Sequence, residues 1–413
     1  MTIVLFNKTL KNISLGKIII FYTSVITLLY SVITFPNIVR VVMVTSVCLL
    51  LLVDICGRRI IDLGRIKKYF LWYGLFCILI VASLTYTINK KDPEYVINRI
   101  FVVFLFALIL VYYVRDHEDF VVMASGFIIG ALAVGIIALI VEGYRIGTSR
   151  MGQYTCGSAI ALSGILTPGA YCALWKTIYI KERKAISAVF SVALFILIVL
   201  TGSRRAIILC LLFLLALIFL KQDVKLGKKF LYLLIACMII SLFIYLIFTN
   251  ETFYDVLGRR LDSMLMTLES DSDVEDKSMA TRDMLRSYSF ELFRERPILG
   301  YGVHGFSYMN FINNGSDLTS HNGLGEVLSC YGLVGFILFY RVYLPYIRNI
   351  KFLFKPQNSA QVFFVLYAIF TLISDGYTSA PFRLLPLISL LGVGLNLMDR
   401  NDRSQLHLEK RLT

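Results

Sequence analysis

The feature that most constrains this chain is a succession of continuous apolar runs, such as LFILIVL and AIILCLLFLLALIFL on either side of residues 201–205. A helix crosses a bilayer's hydrocarbon core with ~20 apolar residues, whereas a membrane-spanning β-strand needs ~10 residues of alternating polarity. The runs here are long and continuous, so they favour helices. Charged residues make up only 16% of the chain, against about 25% in soluble domains. The sequence therefore predicts an all-α, polytopic integral membrane protein.

The apolar runs and the charges between them predict a topology. We expect about twelve spans, near residues 17–35, 38–56, 69–88, 95–114, 120–142, 158–180, 185–200, 206–220, 230–249, 324–347, 361–379 and 382–398. Linkers after even-numbered spans are rich in Lys and Arg, which places both termini in the cytoplasm by the positive-inside rule. The expected division is nine spans in 1–249, an outer loop at 250–321, three spans in 322–398 and a cytoplasmic tail at 399–413.

The net charge of +14 has two interpretations. In a soluble chain it would suggest nucleic-acid binding, whereas a polytopic protein collects basic residues in its cytoplasmic loops. The second interpretation accounts for where the basic residues lie, so we expect no nucleic-acid partner. The eight cysteines form no CxxC pair, which argues against a zinc site or a disulfide framework. We expect neither a metal nor a cofactor.

The linker from Asn250 to His321 is unusually long and acidic for this chain. Long loops in compact proteins are usually functional or disordered. The acidic stretch 269–278 has the composition of a solvated segment, and 300–306 (GYGVHGF) is expected to be a glycine-rich turn. Between them, 281–297 predicts an amphipathic helix ended by its proline. Its expected apolar face consists of Met284, Leu285, Tyr288, Phe290, Leu292 and Phe293.

Two adjacent arginines, Arg204 and Arg205, follow the seventh predicted span in the stretch TGSRR. One interpretation is that both side chains extend to the outer lipid headgroups. The other is that they bind a phosphate. Ser203 can cap the next helix, and the free amides at the start of that helix favour an anion. Arginine also binds phosphate through two parallel hydrogen bonds. Arginine is scarce on the outer face of membrane proteins, which favours the second interpretation.

Further candidates lie on the same predicted side. His321 closes the outer loop where the tenth span begins, and histidine titrates near neutral pH, so it can act as a base. A single histidine is more often structural than catalytic, but this position favours function. Arg282 is a candidate because a basic residue near a helix N-terminus opposes the helix dipole. Asp375 and Arg383 flank the last outer linker and are candidates to line the same outer cavity.

Three motifs occur in an informative order. TGSRRA resembles a T-x-S-R-G-A stretch, TRDMLRSYSFELFRERPILGYGVHGF resembles a loop helix followed by P-x-x-G-x-G, and SHNGLGEVLSCYGLVGF resembles H-N-x-x-L-E…G-x-x-G. Together they resemble the O-antigen ligase and O-antigen polymerase superfamily of bacterial envelope glycosyltransferases, over residues 150–400. The chain departs from that pattern in three places. Arg205 stands where glycine is common, Gly325 where a large apolar residue is usual, and Cys330 where an acid is frequent.

The resemblance implies a fold like that of other membrane glycosyltransferases (GT-C) in the bacterial cytoplasmic membrane, with an outward-facing active site. The implied donor is an undecaprenyl-diphosphate-linked oligosaccharide, and the acceptor is a glycan or a lipid-linked sugar. Membrane lipid, a chain-length regulator and a flippase are implied partners. By motif, Arg204 and Arg282 would bind the diphosphate, and His321 would activate the acceptor hydroxyl. Arg205, Asn322 and Arg286 are further substrate-binding candidates.

Three functions are compatible with these sequence features. A polymerase would add the glycan to another lipid-linked repeat, whereas a ligase would add it to lipid A core or another acceptor. The stretch YDVLGRRLDSML resembles capsule polymerases, which favours the polymerase. The third function is a transporter or flippase without chemistry. Transporters typically show inverted repeats and broken helices at mid-membrane, whereas this sequence has no evident repeat and its polar residues gather at the predicted outer face.

Overall fold

The computed structural model describes residues 14–56, 62–88, 93–143, 150–221, 277–316, 318–354, 358–376 and 381–412, with scattered residues between 227 and 258. Throughout these residues the regular structure is helical, which confirms the all-α prediction. The predicted ninth span falls where only scattered residues are described. Most of the acidic stretch 269–278 lies outside the described residues.

Fourteen helices carry the described part of the chain. They are α1 (Leu15–Leu29), α2 (Asn37–Cys56), α3 (Lys67–Thr85), α4 (Pro93–Tyr113), α5 (His117–Glu142), α6 (Ala159–Tyr179), α7 (Lys184–Leu200), α8 (Arg204–Leu220), α9 (Lys277–Glu295), α10 (Gly305–Asn314), α11 (Gly323–Tyr340), α12 (Tyr343–Arg348), α13 (Ser359–Asp375) and α14 (Leu385–Leu412). Among them, α2, α3, α5 and the segment Gly323–Arg348 are long and apolar enough to cross a membrane. Five further apolar helices are shorter, so a helical membrane protein is supported while twelve spans stay a prediction.

The chain forms two compact units. The first comprises Met1–Arg65, Ile109–Gly258 and Pro356–Phe363, and the second comprises Ile66–Leu108, Arg259–Lys355 and Phe364–Thr413.

Helix α5 is the centre of the first unit because its small residues let other helices approach closely. A Cβ added at Gly126 would lie 2.6 Å from the Cβ of Ser24 on α1, and one at Gly130 would lie 3.0 Å from the Val25 carbonyl oxygen. This G-x-x-x-G pair follows the small-residue pattern common at helix contacts in membranes. On α6, a Cβ at Gly169 would lie 3.0 Å from the backbone of α5. The glycines of α5 and α6 therefore set the helix spacing of this unit.

An aromatic cluster forms the core of the second unit. Four aromatic rings make five contacts in it, each with a centroid separation of at most 6.4 Å. The rings are those of Phe76, Tyr331, Phe339 and Phe382. Trp72 adds a hydrogen bond from its Nε1 to the Phe339 carbonyl at 2.8 Å. Such edge-to-face ring contacts add to the stabilisation from burial alone.

Helix α11 is broken at Gly332, whose φ of 61° and ψ of −162° are not helical. Both ends of α11 contact Asp375: a Cβ at Gly323 would lie 2.7 Å from its Cγ, and Tyr340 donates a hydrogen bond to its carboxylate. A straight helix of this length would separate its ends by ~25 Å, which one side chain cannot span. The two halves therefore double back at Gly332, so the segment predicted as a span over 324–347 contains a break.

The loop helix is present, with different bounds and a narrower buried face. Helix α9 ends at Glu295 rather than at the predicted proline. Its buried stripe consists of Leu285, Ser289 and Leu292, spaced four and three residues apart. Met284 and Phe290, which the sequence placed on the apolar face, are 49% and 37% exposed. Ser289 takes a central position in the stripe because it faces α11, as described below.

Candidate functional site

The TGSRR stretch forms a tight turn between α7 and α8 in the first unit. Gly202 adopts a positive φ of 64°, a conformation that glycine reaches without steric cost. The Thr201 hydroxyl donates to the Ile198 carbonyl at 2.6 Å and accepts from the Ser203 amide at 3.2 Å. Ser203 occupies the N-cap position, as expected, but its side chain makes no capping hydrogen bond, so that part of the prediction is wrong.

Arg204 and Arg205 are the first two residues of α8, and both are half-buried. They begin the helix immediately after a turn whose backbone is fixed by Thr201. The free amides of a helix N-terminus favour an anion, and two guanidinium groups add positive charge at the same end. This local geometry suits phosphate binding, and it suits headgroup contact as well.

Two residues outside the predicted diphosphate site hold this region together. Arg150 donates from Nε to the Thr201 carbonyl at 3.0 Å and from Nη2 to the Gly202 carbonyl at 3.1 Å. Glu142 ends α5 with a buried carboxylate, which accepts from the Gly152 and Thr155 amides at 2.8 and 2.6 Å. Arg150 sits on the outer side in the predicted topology, where arginine is scarce, and this signal could have identified it.

His321 lies in the second unit, just before α11, with a left-handed φ of 51°. Non-glycine residues adopt this conformation rarely, so the surrounding contacts must hold it. The Ser320 amide donates to the Glu326 carboxylate at 3.2 Å, and the Ser320 hydroxyl donates to the Asn322 carbonyl at 2.8 Å. These bonds, made on both sides of His321, fix the backbone that presents its half-buried imidazole.

Asn322 occupies the N-cap position of α11 and is 3% exposed. Its Oδ1 is buried and has no hydrogen-bond partner in the described part of the chain. A buried acceptor without a donor destabilises a protein by about 1–3 kcal/mol. The Asn322 side chain is therefore suited to accept a hydrogen bond from a ligand hydroxyl.

Asp375 and Arg286 lie close to the same helix start. Asp375 is 2% exposed, contacts Gly323 and accepts from Tyr340. The Arg286 Nη2 lies 3.9 Å from the Cβ position of Gly376, the residue after this carboxylate. The second unit thus places the Asp375 carboxylate against the start of α11, with the Arg286 guanidinium near the next residue, Gly376, and His321 just before the helix in sequence.

The glycine-rich turn after α9 docks into the break in α11. Amides of Tyr301 and Gly302 donate to the Ser329 and Cys330 carbonyls at 2.9 and 2.7 Å. In return, amides just after Gly332 donate to carbonyls of 297–298 at 2.8 and 3.2 Å. The carbonyls and amides freed by the break are therefore paired by the turn, which fixes α9 against α11.

Close packing along α9 and α11 explains one departure from the family pattern. A Cβ at Gly325 would lie 3.0 Å from the Cβ of Ser289 on α9. A large apolar residue at this position would push the two helices apart. Gly325 and Ser289 therefore bring the arginine-bearing helix close to the start of α11.

Helix α9 is also tied to the residues that follow it. The Tyr288 hydroxyl accepts from Asn313 at 2.6 Å, and Tyr301 donates to the Glu295 carboxylate. Burial and the adjacent Glu295 carboxylate raise the pKa of Tyr301 to about 12, since both disfavour the phenolate. The Arg296 guanidinium lies 4.5 Å from the Tyr301 ring centroid, within cation–π range.

The structure places the predicted site residues in two groups. Arg204 and Arg205 lie in the first unit, whereas Arg282, Arg286, His321 and Asn322 lie in the second. His321 and Asn322 immediately precede α11, and Arg286 lies near Gly376, the residue after the Asp375 that contacts the start of this helix. Arg282 is exposed one turn before Arg286 on α9. Arg383 lies in the second unit with its guanidinium 5.2 Å from the Phe382 ring centroid.

The apolar helices are typical of a polytopic membrane protein. Residues 186–340 match the family model described as O-antigen ligase. This segment is therefore similar to the O-antigen ligase and O-antigen polymerase superfamily, whose members are glycosyltransferase-like enzymes. This finding confirms the resemblance drawn from the three motifs. No curated protein gives a significant match to the chain.

Proposed function

We propose that the protein is a polymerase of a bacterial surface polysaccharide, such as O-antigen, capsule or exopolysaccharide. It transfers a glycan from undecaprenyl diphosphate to an acceptor sugar, with inversion, at the outer face of the cytoplasmic membrane. Both termini are cytoplasmic in this proposal. The observation that carries the glycan transfer is the match to the O-antigen ligase family over 186–340, a segment that includes Arg204, Arg282 and His321. The polymerase is preferred to the ligase because the stretch YDVLGRRLDSML resembles capsule polymerases.

The reaction forms a bond from the acceptor hydroxyl oxygen to the anomeric carbon as the bond from that carbon to the diphosphate oxygen breaks. His321 accepts the hydroxyl proton. Undecaprenyl diphosphate leaves with both electrons of the broken bond, and Arg204 and Arg282 hold the negative charge that develops on it. Arginine keeps its own charge at any physiological pH, so this stabilisation needs no metal or cofactor.

The remaining candidates are assigned to substrate binding. A sugar hydroxyl would supply the donor that the buried Oδ1 of Asn322 lacks. Arg286 lies beside the Asp375–Gly376 segment at the start of α11, where it can contact the same ligand. Arg205 either adds a phosphate contact or anchors α8 at the headgroups, and Arg205→Ala distinguishes these because only the first role raises the KM for the donor.

His321 provides the sharpest test. His321→Ala should abolish polymer formation by purified, reconstituted protein while leaving its expression unchanged. His321→Asn is a useful companion, because asparagine tolerates the left-handed backbone but offers no base. His304→Ala is the matched control, since His304 also precedes a helix with a left-handed φ of 55° and has no assigned role. Normal polymer from His321→Ala would refute the assignment.

Arg204→Ala should also abolish glycan transfer without loss of expression, because it removes charge from the leaving-group site. The wild-type protein should keep full activity in EDTA. Normal polymer from Arg204→Ala, or a strict requirement for a divalent metal, would contradict the mechanism.

Two alternatives give different results in simple experiments. In cells that lack the gene, single repeats on the lipid carrier indicate a polymerase, whereas unattached long chains indicate a ligase. A transporter or flippase would move lipid-linked oligosaccharide without forming a glycosidic bond. Purified protein incubated with lipid-linked oligosaccharide separates that possibility from an enzyme, since only an enzyme releases undecaprenyl diphosphate.

A further inference from the structure

The segment 150–158, between α5 and α6 in the first unit, is held at one point by a buried carboxylate. Glu142 is 2% exposed. Besides its bonds to the Gly152 and Thr155 amides, it accepts from the Tyr154 amide at 3.1 Å and from the Thr155 hydroxyl at 2.5 Å. Hydrogen bonds to a charged acceptor are stronger than neutral ones. Four donors on one carboxylate therefore make this segment a rigid support.

Arg150 is the first residue of the same segment, and its side chain connects the segment to the TGSRR turn. Its guanidinium donates to two consecutive carbonyls, those of Thr201 and Gly202. These carbonyls lie at the C-terminal end of α7, where the helix dipole favours a cation. Arg150 therefore fixes the backbone between α7 and α8 at Thr201 and Gly202, three and two residues before Arg204.

We infer that Arg150 is a positioning residue for the donor diphosphate. It fixes the turn that orients Arg204 and the first amides of α8, and its own charge increases the positive potential there. Glu142 supports Arg150 through the segment 150–158. This inference rests on the proposed function, because it takes the TGSRR turn as the diphosphate site.

The geometry requires arginine rather than lysine. One planar guanidinium reaches two neighbouring carbonyls with Nε and Nη2, whereas an ammonium is a compact point charge that holds one in this arrangement. Arg150→Lys therefore keeps the positive charge but cannot make both hydrogen bonds to the turn. The expected consequence is weaker binding of the donor with little change in the chemical step.

The experiment measures donor KM and kcat for reconstituted Arg150→Lys. Loss of one charge-assisted hydrogen bond predicts a donor KM about tenfold higher, with kcat within about twofold. Arg40→Lys is the matched control: Arg40 also donates to a backbone carbonyl in this unit, that of Val32 at 3.2 Å, but does not contact the turn. Its KM should equal the wild-type value.

A second variant covers the case in which Arg150→Lys does not fold. Thr155→Val removes a donor from Glu142 and leaves Arg150 intact, so it should raise the donor KM by a smaller factor. Unchanged KM in both folded variants, or a fall in kcat at constant KM, would overturn the inference while leaving the proposed function in place.

Failure of the proposed function itself gives a different pattern. If wild-type protein forms no glycosidic bond, the positioning role is tested through equilibrium binding of undecaprenyl diphosphate. Arg150→Lys should then weaken binding about tenfold relative to wild type and Arg40→Lys. Equal binding by all three proteins would overturn the inference independently of catalysis.

Discussion

Replacement of Gly332 by alanine should destabilise the second unit more than any ordinary glycine substitution. Gly332 combines a φ of 61° with a ψ of −162°, a region that is essentially restricted to glycine. A Cβ there would overlap the carbonyl of Ile298 and lie 2.6 Å from the Leu299 amide nitrogen. Both obstacles are backbone atoms, so the clash cannot be relieved by a side-chain rotation.

The magnitude follows from two contributions. The strained backbone costs about 1–3 kcal/mol for a residue other than glycine. Relief of the clash also separates the turn from α11 and breaks the bonds from the Leu333 and Val334 amides, at 2.8 and 3.2 Å, each of which contributes about 1 kcal/mol. The expected loss is therefore about 3–5 kcal/mol, and a loss of 3 kcal/mol lowers the Tm by about 6–12 °C.

The two tryptophans allow the assay to report on one unit. Trp72 lies in the second unit and hydrogen-bonds to Phe339 in the second half of α11, whereas Trp175 lies in the first unit. In a Trp175→Phe background, thermal unfolding followed by tryptophan fluorescence reports on Trp72 alone. Gly332→Ala should lower that midpoint.

Gly315→Ala is the matched control. Gly315 also has a positive φ of 66°, but a Cβ there meets nothing within 4 Å. It should cost only the conformational term of about 1 kcal/mol. Equal midpoints for the two variants would refute the docking of the turn as the reason that glycine is needed at the break.

Three further predictions address other parts of the molecule. Glu142→Gln should lower the thermal midpoint reported by Trp175, because the glutamine amide would present N–H groups to a site that is built from donors. The expected loss of stability is about 2–4 kcal/mol, and an unchanged midpoint would contradict this. The ultraviolet titration difference between wild type and Tyr301→Phe should have its midpoint near pH 12 rather than 10.0, and a midpoint near 10 would contradict the hydrogen bond to Glu295. Since the pKa is raised in the folded state, the stability that this phenol contributes is present below pH 10 and is lost as the pH rises through 12. Gly126→Val should impair folding, because its Cβ would lie 2.6 Å from Ser24, whereas Gly164→Ala, which meets nothing within 4 Å, should be tolerated.

The apolar runs alone were sufficient to predict a helical membrane protein, because long runs without charges have few other stable states. The three motifs also predicted the resemblance to the family that residues 186–340 match, since residue types in order along the chain need no tertiary information. The loop helix was predictable from its period. The residues on its buried face were not predictable. Ser289 is polar, yet it lies in the buried stripe because Gly325 leaves room for it on α11.

Tertiary structure decided the features that depend on distant partners. The break at Gly332 could not be read from an apolar segment, because its cause is the pairing of freed backbone groups with the turn after α9. Asp375 was visible only as a charge beside a linker, whereas the structure shows it contacting both ends of α11. Arg150 acquires its role from two carbonyls some fifty residues away. Hydropathy is local along the chain, whereas hydrogen-bond partners for buried polar groups are set by the fold.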